Sequence, residues 1–406
     1  MSLKINRNSV IHFLFIIYCI LVMCFANNMR MRILSIGILF VILVLSFLKI
    51  QRRNHSLFFQ SPKLYYLFVL YALSSFLWAV SRERSEAVLY ELGTSVLIVF
   101  IIDRCIYTEY DLIKFCKEFI FAIVATNVYL IVCCGFNISL IRENISTIIG
   151  LDKNYFSQIC AIAIILCFVL SRKNHKLIYY ISIIFCLLCI IGSGSRKALL
   201  FIGIEFFAFF MYLYRRNLTK QIKYISICIV ALVVALIILQ RYNNEFFVKI
   251  INGIAVFFMS DSDVRDASAT IRIALIGRGM SLFLTHPILG VGLNNFSYFA
   301  NDINTAWGVN YGGYIYAHNN YVELLADFGL LGFLIYSLIY ISYFVELKKS
   351  NFKQNNNYYV AVSFTIILVL LLNDIASVSY YLKFYQILML FAYKFIATSK
   401  SKELSV

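Results

Sequence analysis

Long apolar runs alternate with short polar breaks along this chain, and the runs have the length of membrane-spanning helices. A span needs about 20 predominantly apolar residues. Such runs lie near Ser9–Ala26, Ile33–Leu48, Leu64–Val80, Val88–Ile102, Glu118–Phe136 and Tyr155–Leu170. They continue near Leu177–Ile191, Ala198–Tyr214, Ile222–Leu239, Tyr321–Val345, Tyr358–Leu372 and Tyr381–Ala397. The pattern predicts an all-α, polytopic transmembrane bundle of about 12 spans, the fourth being the weakest because Glu91 interrupts it. A β-barrel would show roughly ten-residue segments of alternating polarity instead. One long connection, residues 241–318, reads as a large extracytoplasmic loop containing short helices. No repeat or linker divides the chain, so residues 1–406 read as a single membrane-embedded domain.

Composition strengthens that picture. The chain is 62% hydrophobic and 14% charged, with a mean hydropathy of +0.82, which excludes an ordinary soluble globular protein. The first run is longer than the apolar core of a signal peptide and no small-residue cleavage site follows it, so it is expected to be a retained span. The net charge of +16 raises the question of nucleic acid, but the basic residues are scattered through span-flanking loops and no nucleic-acid partner is expected. The cysteines sit in or near the spans, where they read as small packing residues rather than disulfides.

Charge then orients the bundle. With the N-terminus inside, the inner segments carry 21 Lys and Arg against 8 in the short outer loops. Positive-inside asymmetry therefore places both termini in the cytoplasm. The Gly192–Lys197 turn, the 241–318 loop and the Asn373–Tyr380 turn then share the outer face.

Three outer segments carry candidate chemistry. In Ile191–Leu200, Ser195 can cap the helix that follows, whose N-terminus favours an anion, and Arg196 adds a donor fork suited to phosphate. An inter-helix turn with a snorkelling arginine accounts for this segment equally well. In Ser268–Phe296, an interfacial helix is expected to stop at Pro287 and the Gly290/Gly292 pair, with Arg265 and Arg272 about two turns apart on one face. Arg272, flanked by Ile271 and Ile273, is the choice for substrate, although headgroup contact is the plainer role for such arginines. In the third, His318 and Asn319 precede the tenth span, and Gly329 and Gly332 follow within it. A neutral imidazole there can accept a proton, whereas a lone histidine is more often structural. Glu323 and Asp327 are candidate carboxylates for orienting or neutralising cations. Asp261-Ser-Asp263 resembles the motif of metal-dependent sugar-nucleotide transferases but falls on the outer side, away from cytoplasmic nucleotide sugars, so it reads as a solvated acidic loop. His12, His55, His175 and His286 lack ligand spacing. Neither metal nor cofactor is expected.

The ordered set resembles the O-antigen ligase and polymerase superfamily of bacterial envelope glycosyltransferases. His318, Asn319, Gly329 and Gly332 match its H-[NSQ]-x9-G-x-x-[GTY] pattern, and Arg272, Pro287, Gly290 and Gly292 match its R…P-x-x-G-x-G segment. Gly194, Ser195 and Arg196 match its S-R turn, with Lys197 where glycine is common, and Asp152–Tyr155 resembles its K-N element. The resemblance implies a metal-independent, inverting transfer of glycan from undecaprenyl diphosphate. In that reading Arg196 and Arg272 hold the diphosphate, His318 activates the acceptor hydroxyl, and Ser195, Arg265, Asn319 and Asp327 line the substrate site. It implies membrane lipids as surroundings, and a chain-length regulator and a flippase as candidate protein partners. A polymerase of lipid-linked repeat units for O-antigen, capsule or exopolysaccharide is favoured over a ligase to lipid A–core. A lipid-linked glycan transporter is a third reading, which the external placement of the polar residues disfavours.

Overall fold

The computed structural model describes residues 7–47, 60–174, 176–242, 267–301, 315–349 and 358–403. Each of the twelve apolar runs coincides with a helix: α1 (Arg7–Cys24), α2 (Met29–Phe47), α3 (Gln60–Ser74), α4 (Arg82–Cys105) and α5 (Glu109–Cys133). A short α6 (Ile141–Ile148) precedes α7 (Lys153–Asn174), α8 (Leu177–Ser193), α9 (Arg196–Leu213) and α10 (Leu218–Tyr242). Helix α11 (Ala267–Thr285) belongs to the long loop, and α12 (Asn320–Lys349), α13 (Tyr358–Asp374) and α14 (Lys383–Glu403) complete the bundle. Six of these, α1, α2, α4, α5, α7 and α12, are long and apolar enough to cross a membrane. The apolar stretches Pro62–Leu77, Leu177–Ser193 and Tyr358–Asp374 are shorter.

Helix boundaries follow local chemistry. Thr108 and Asp111 form a reciprocal capping box at the start of α5, and Ser81 caps α4. Asp152 accepts from the Asn154 and Tyr155 amides at 2.9 and 3.0 Å, so this carboxylate opens α7. Gly194 ends α8 in the left-handed region, φ 63°, which glycine adopts without strain.

Helices α7 and α14 form the centre: Phe156–Leu170 and Phe384–Ala397 are almost wholly buried. The peripheral α2 instead turns Ile33, Leu34, Phe40 and Val44 outward. Exposed apolar faces of that extent suit lipid contact rather than water. Two lysines on α14 are buried and paired with α4: Lys383 with Glu91 at 2.8 Å, and Lys394 with Asp103 at 2.7 Å. The Glu91 that weakens the fourth apolar run thus neutralises a cation on the central helix. On the other side of α4's neighbours, His12 of α1 meets Glu118 of α5 at 2.8 Å, a packing role for that histidine.

Candidate active site

The apolar run carrying the tenth span is not one continuous helix. At Gly329 the backbone takes φ 63° and ψ −167°, dividing α12 into Asn320–Phe328 and a longer segment beyond. A break of this kind strands backbone groups, and the loop after α11 satisfies them. Val291 and Gly292 amides donate to the Ala326 and Asp327 carbonyls at 3.0 and 2.8 Å, while Leu330 and Leu331 amides donate to Pro287 and Ile288 at 2.8 and 3.3 Å. A β-carbon at Gly290 would lie 2.4 Å from the Asp327 carbonyl, and one at Gly329 would lie 2.3 Å from Ile288 O. The two glycine-bearing motifs are therefore halves of one interlock, which explains their spacing architecturally.

Polar side chains extend the interlock. Asp327 is sealed from solvent and accepts from the Phe296 amide at 2.7 Å. Glu323, also buried, accepts from the Ala317 amide at 2.7 Å. Both side chains anchor the loop from buried positions, each through one of its two carboxyl oxygens. Asn319 caps α12 by accepting from Val322 N at 3.1 Å. Asn320, adjoining it, donates to Asp374 at 3.2 Å and accepts from the Ser379 amide at 3.0 Å, tying α12 to the turn between α13 and α14.

His318 sits where these elements converge. Its backbone is left-handed, φ 52°, a conformation a non-glycine residue holds only when its surroundings enforce it. The ring packs on Tyr316 with centroids 4.1 Å apart. Burial, then the charges of Arg272 and Lys197, push the imidazole down to about 4, so it is neutral at physiological pH. Lys197, in the turn ahead of the eighth apolar run, is pushed down to about 7 by burial and then by Arg272, against the pull of Asp374 and Asp152. Its ammonium donates to Ser377 Oγ at 3.0 Å.

The fold thus gathers Arg272 of α11, Lys197 of α9 and His318 into one electrostatic cluster. Ser195 caps α9 as its sequence position predicts, accepting from Ala198 N at 3.4 Å, and donates to Asn154 at 3.1 Å. That bond joins the S-R turn to the Asp152–Tyr155 element. Arg196 is exposed on the first turn of α9, and it is Lys197 whose charge reaches His318. Sequence reading passed over Lys197 in favour of its neighbour. The remaining candidate Arg265 and the Asp261/Asp263 pair lie outside the described residues, as do His55 and His175. Among the described residues no group of three or more His, Cys, Asp or Glu could hold a metal ion.

No curated protein matches the chain. Residues 181–337 match the family model described as O-antigen ligase, a stretch from α8 into α12 that includes Arg196, Lys197, Arg272, His318 and both glycine pairs. Through that stretch, and in the order of its motifs, the chain is similar to the O-antigen ligase and polymerase superfamily.

Proposed function

We propose that this membrane protein is a glycosyltransferase that polymerises undecaprenyl-diphosphate-linked repeat units on the outer face of the bacterial inner membrane. The observation carrying the reading is the convergence of Arg272 and Lys197 on a neutral His318 beside the N-terminus of α9. Two cations and a helix N-terminus favour a diphosphate, which is the leaving group of the proposed reaction. Arg196, one residue from Lys197 and exposed, supplies a further guanidinium to the same end of α9.

In the transfer, an acceptor hydroxyl oxygen attacks the anomeric carbon of the donor glycan. The bond from that carbon to the diphosphate oxygen breaks, and the electron pair leaves with the diphosphate. His318 takes the hydroxyl proton, and the configuration inverts. An imidazole near 4 is a weak base; burial is the largest cause, and an anion held by Arg272 and Lys197 would offset the second, their charges. Donor binding therefore raises the basicity of His318 only by the part that the two cations remove.

A ligase acting on lipid A–core is the second reading, favoured by the match of residues 181–337 to a family described as O-antigen ligase. Purified protein incubated with lipid-linked repeat units alone separates the two. Long-chain glycan formed without lipid A–core is expected. If glycan is transferred only when lipid A–core is added, the polymerase assignment fails.

A further inference from the structure

A cavity of about 280 Å³ opens between α1, α2, α4 and α14, and it borders the cation cluster. Its lining includes Tyr316, the residue packed on His318; Ser377, which accepts from Lys197; and Asp152, whose charge reaches Lys197. The cavity therefore lies one side chain away from the proposed transfer point.

Its walls differ in kind from the cluster. Tyr90, Tyr155, Tyr381 and Tyr385 join Tyr316 in lining it. The four charged residues of the lining, Arg32, Lys383, Glu91 and Asp152, cancel in sign. Lys383 is already paired with Glu91 at 2.8 Å, and Arg32 and Lys383 flank the Tyr90 ring at 5.2 and 4.7 Å from its centroid. An electroneutral wall gives a second diphosphate no net attraction. An isoprenoid chain would desolvate these charged groups without returning a hydrogen bond. A sugar ring suits both features: its C–H faces lie on aromatic rings, and its hydroxyls exchange hydrogen bonds with tyrosine, carboxylate and ammonium groups. The volume sits just under the ~300–1,000 Å³ of typical small-molecule sites, so it accommodates a part of a glycan rather than a whole lipid-linked unit.

We propose that this tyrosine-lined cavity is a saccharide subsite, seating a sugar of the acceptor glycan so that its neighbouring hydroxyl reaches His318. The assignment rests on the reading of the Arg272–Lys197–His318 cluster as the transfer site. It gives the acceptor its own recognition surface, built mostly from residues on either side of the segment that matches the O-antigen ligase family model, with Tyr316 contributed from within it.

Two probes, one water-soluble and one a lipid presented in detergent, separate the cavity from the cluster. One is the oligosaccharide freed by mild acid from the lipid-linked repeat unit of the same cells, which carries no diphosphate. The other is undecaprenyl diphosphate without glycan. Each is titrated against the full-length protein in detergent, with saturation-transfer NMR or tryptophan fluorescence reading binding. Tyr90→Leu and Tyr381→Leu are each expected to weaken the oligosaccharide about tenfold, the scale of one lost aromatic contact, and to leave undecaprenyl diphosphate binding unchanged. Tyr90→Phe, which keeps the ring between Arg32 and Lys383, should weaken the oligosaccharide less than Tyr90→Leu. Unchanged oligosaccharide affinity in both leucine variants, with undecaprenyl diphosphate still bound, would overturn the subsite. Failure of the cluster reading looks different: Arg272→Ala would then bind undecaprenyl diphosphate as the unmodified protein does.

Discussion

His318 combines a left-handed backbone with a ring packed on Tyr316, and its burial, then the two cations within electrostatic reach, set its pH behaviour. It must be unprotonated to accept a proton, so kcat/KM falls as pH drops through about 4. Lys197 must be protonated to attract the donor, so kcat/KM falls again as pH rises through about 7. Lys197→Arg is expected to abolish the alkaline limb, because a guanidinium stays charged throughout. A pH–rate profile in which that limb persists would remove Lys197 from the donor site. His318→Ala should lower kcat by about 10²–10⁴, the range for loss of a general base, while the protein still inserts. Normal glycan ladders from cells carrying that variant would refute the role. The histidine was legible in sequence because its flanking pattern is distinctive. Lys197 was not, because Arg196 and Lys197 are adjacent, about 100° apart around the helix. Which of two neighbouring cations turns toward a distant histidine depends on partners such as Ser377 and Asp374, from the other end of the chain.

At the scale of the element, the informative unit is the junction between the α11–loop segment and the broken helix α12. The sequence places Pro287, Gly290 and Gly292 as turn residues that stop a helix, but reads Gly329 and Gly332 only as motif positions within one span, whereas the helix breaks at Gly329. It does not reveal that the two sets bond to one another, since nothing local couples positions that far apart. Asp327 illustrates the cost of that blindness. Read alone it is a carboxylate at a site mouth, and in the fold it is a buried acceptor for the Phe296 amide. The junction makes a sharp prediction. Gly329→Ala places a β-carbon against Ile288 O and adds the roughly 1–2 kcal/mol penalty of a left-handed non-glycine residue. The thermal midpoint in detergent should fall, and donor binding should weaken because Arg272 rides on the same docked loop. Gly277→Ala in α11 is the matched control, since a β-carbon there meets nothing within 4 Å. Equal melting behaviour of the two variants would show that the interlock does not hold the loop.

On the scale of the whole molecule, the twelve apolar runs were readable because span length and hydropathy are local properties. The pairing of α14 with α4 was not, because Lys383 and Lys394 find Glu91 and Asp103 only after the chain has closed on itself. Those pairs also bear on orientation. The His318 cluster lies near Lys383, at the start of α14, while Lys394 and Asp103 lie toward its other end. The positive-inside count assigns the Lys394 end to the cytoplasm, and the cluster end to the exterior where a lipid-linked glycan would be met. Helix α10 tests this directly, because it spans from the basic Arg215–Lys223 segment to the start of the long loop. Alkaline phosphatase fused after Arg241 should be active, and fused after Arg215 inactive. The reverse pattern would put Arg272 and His318 on the cytoplasmic face and exclude external polymerisation, whatever the chemistry of the cluster.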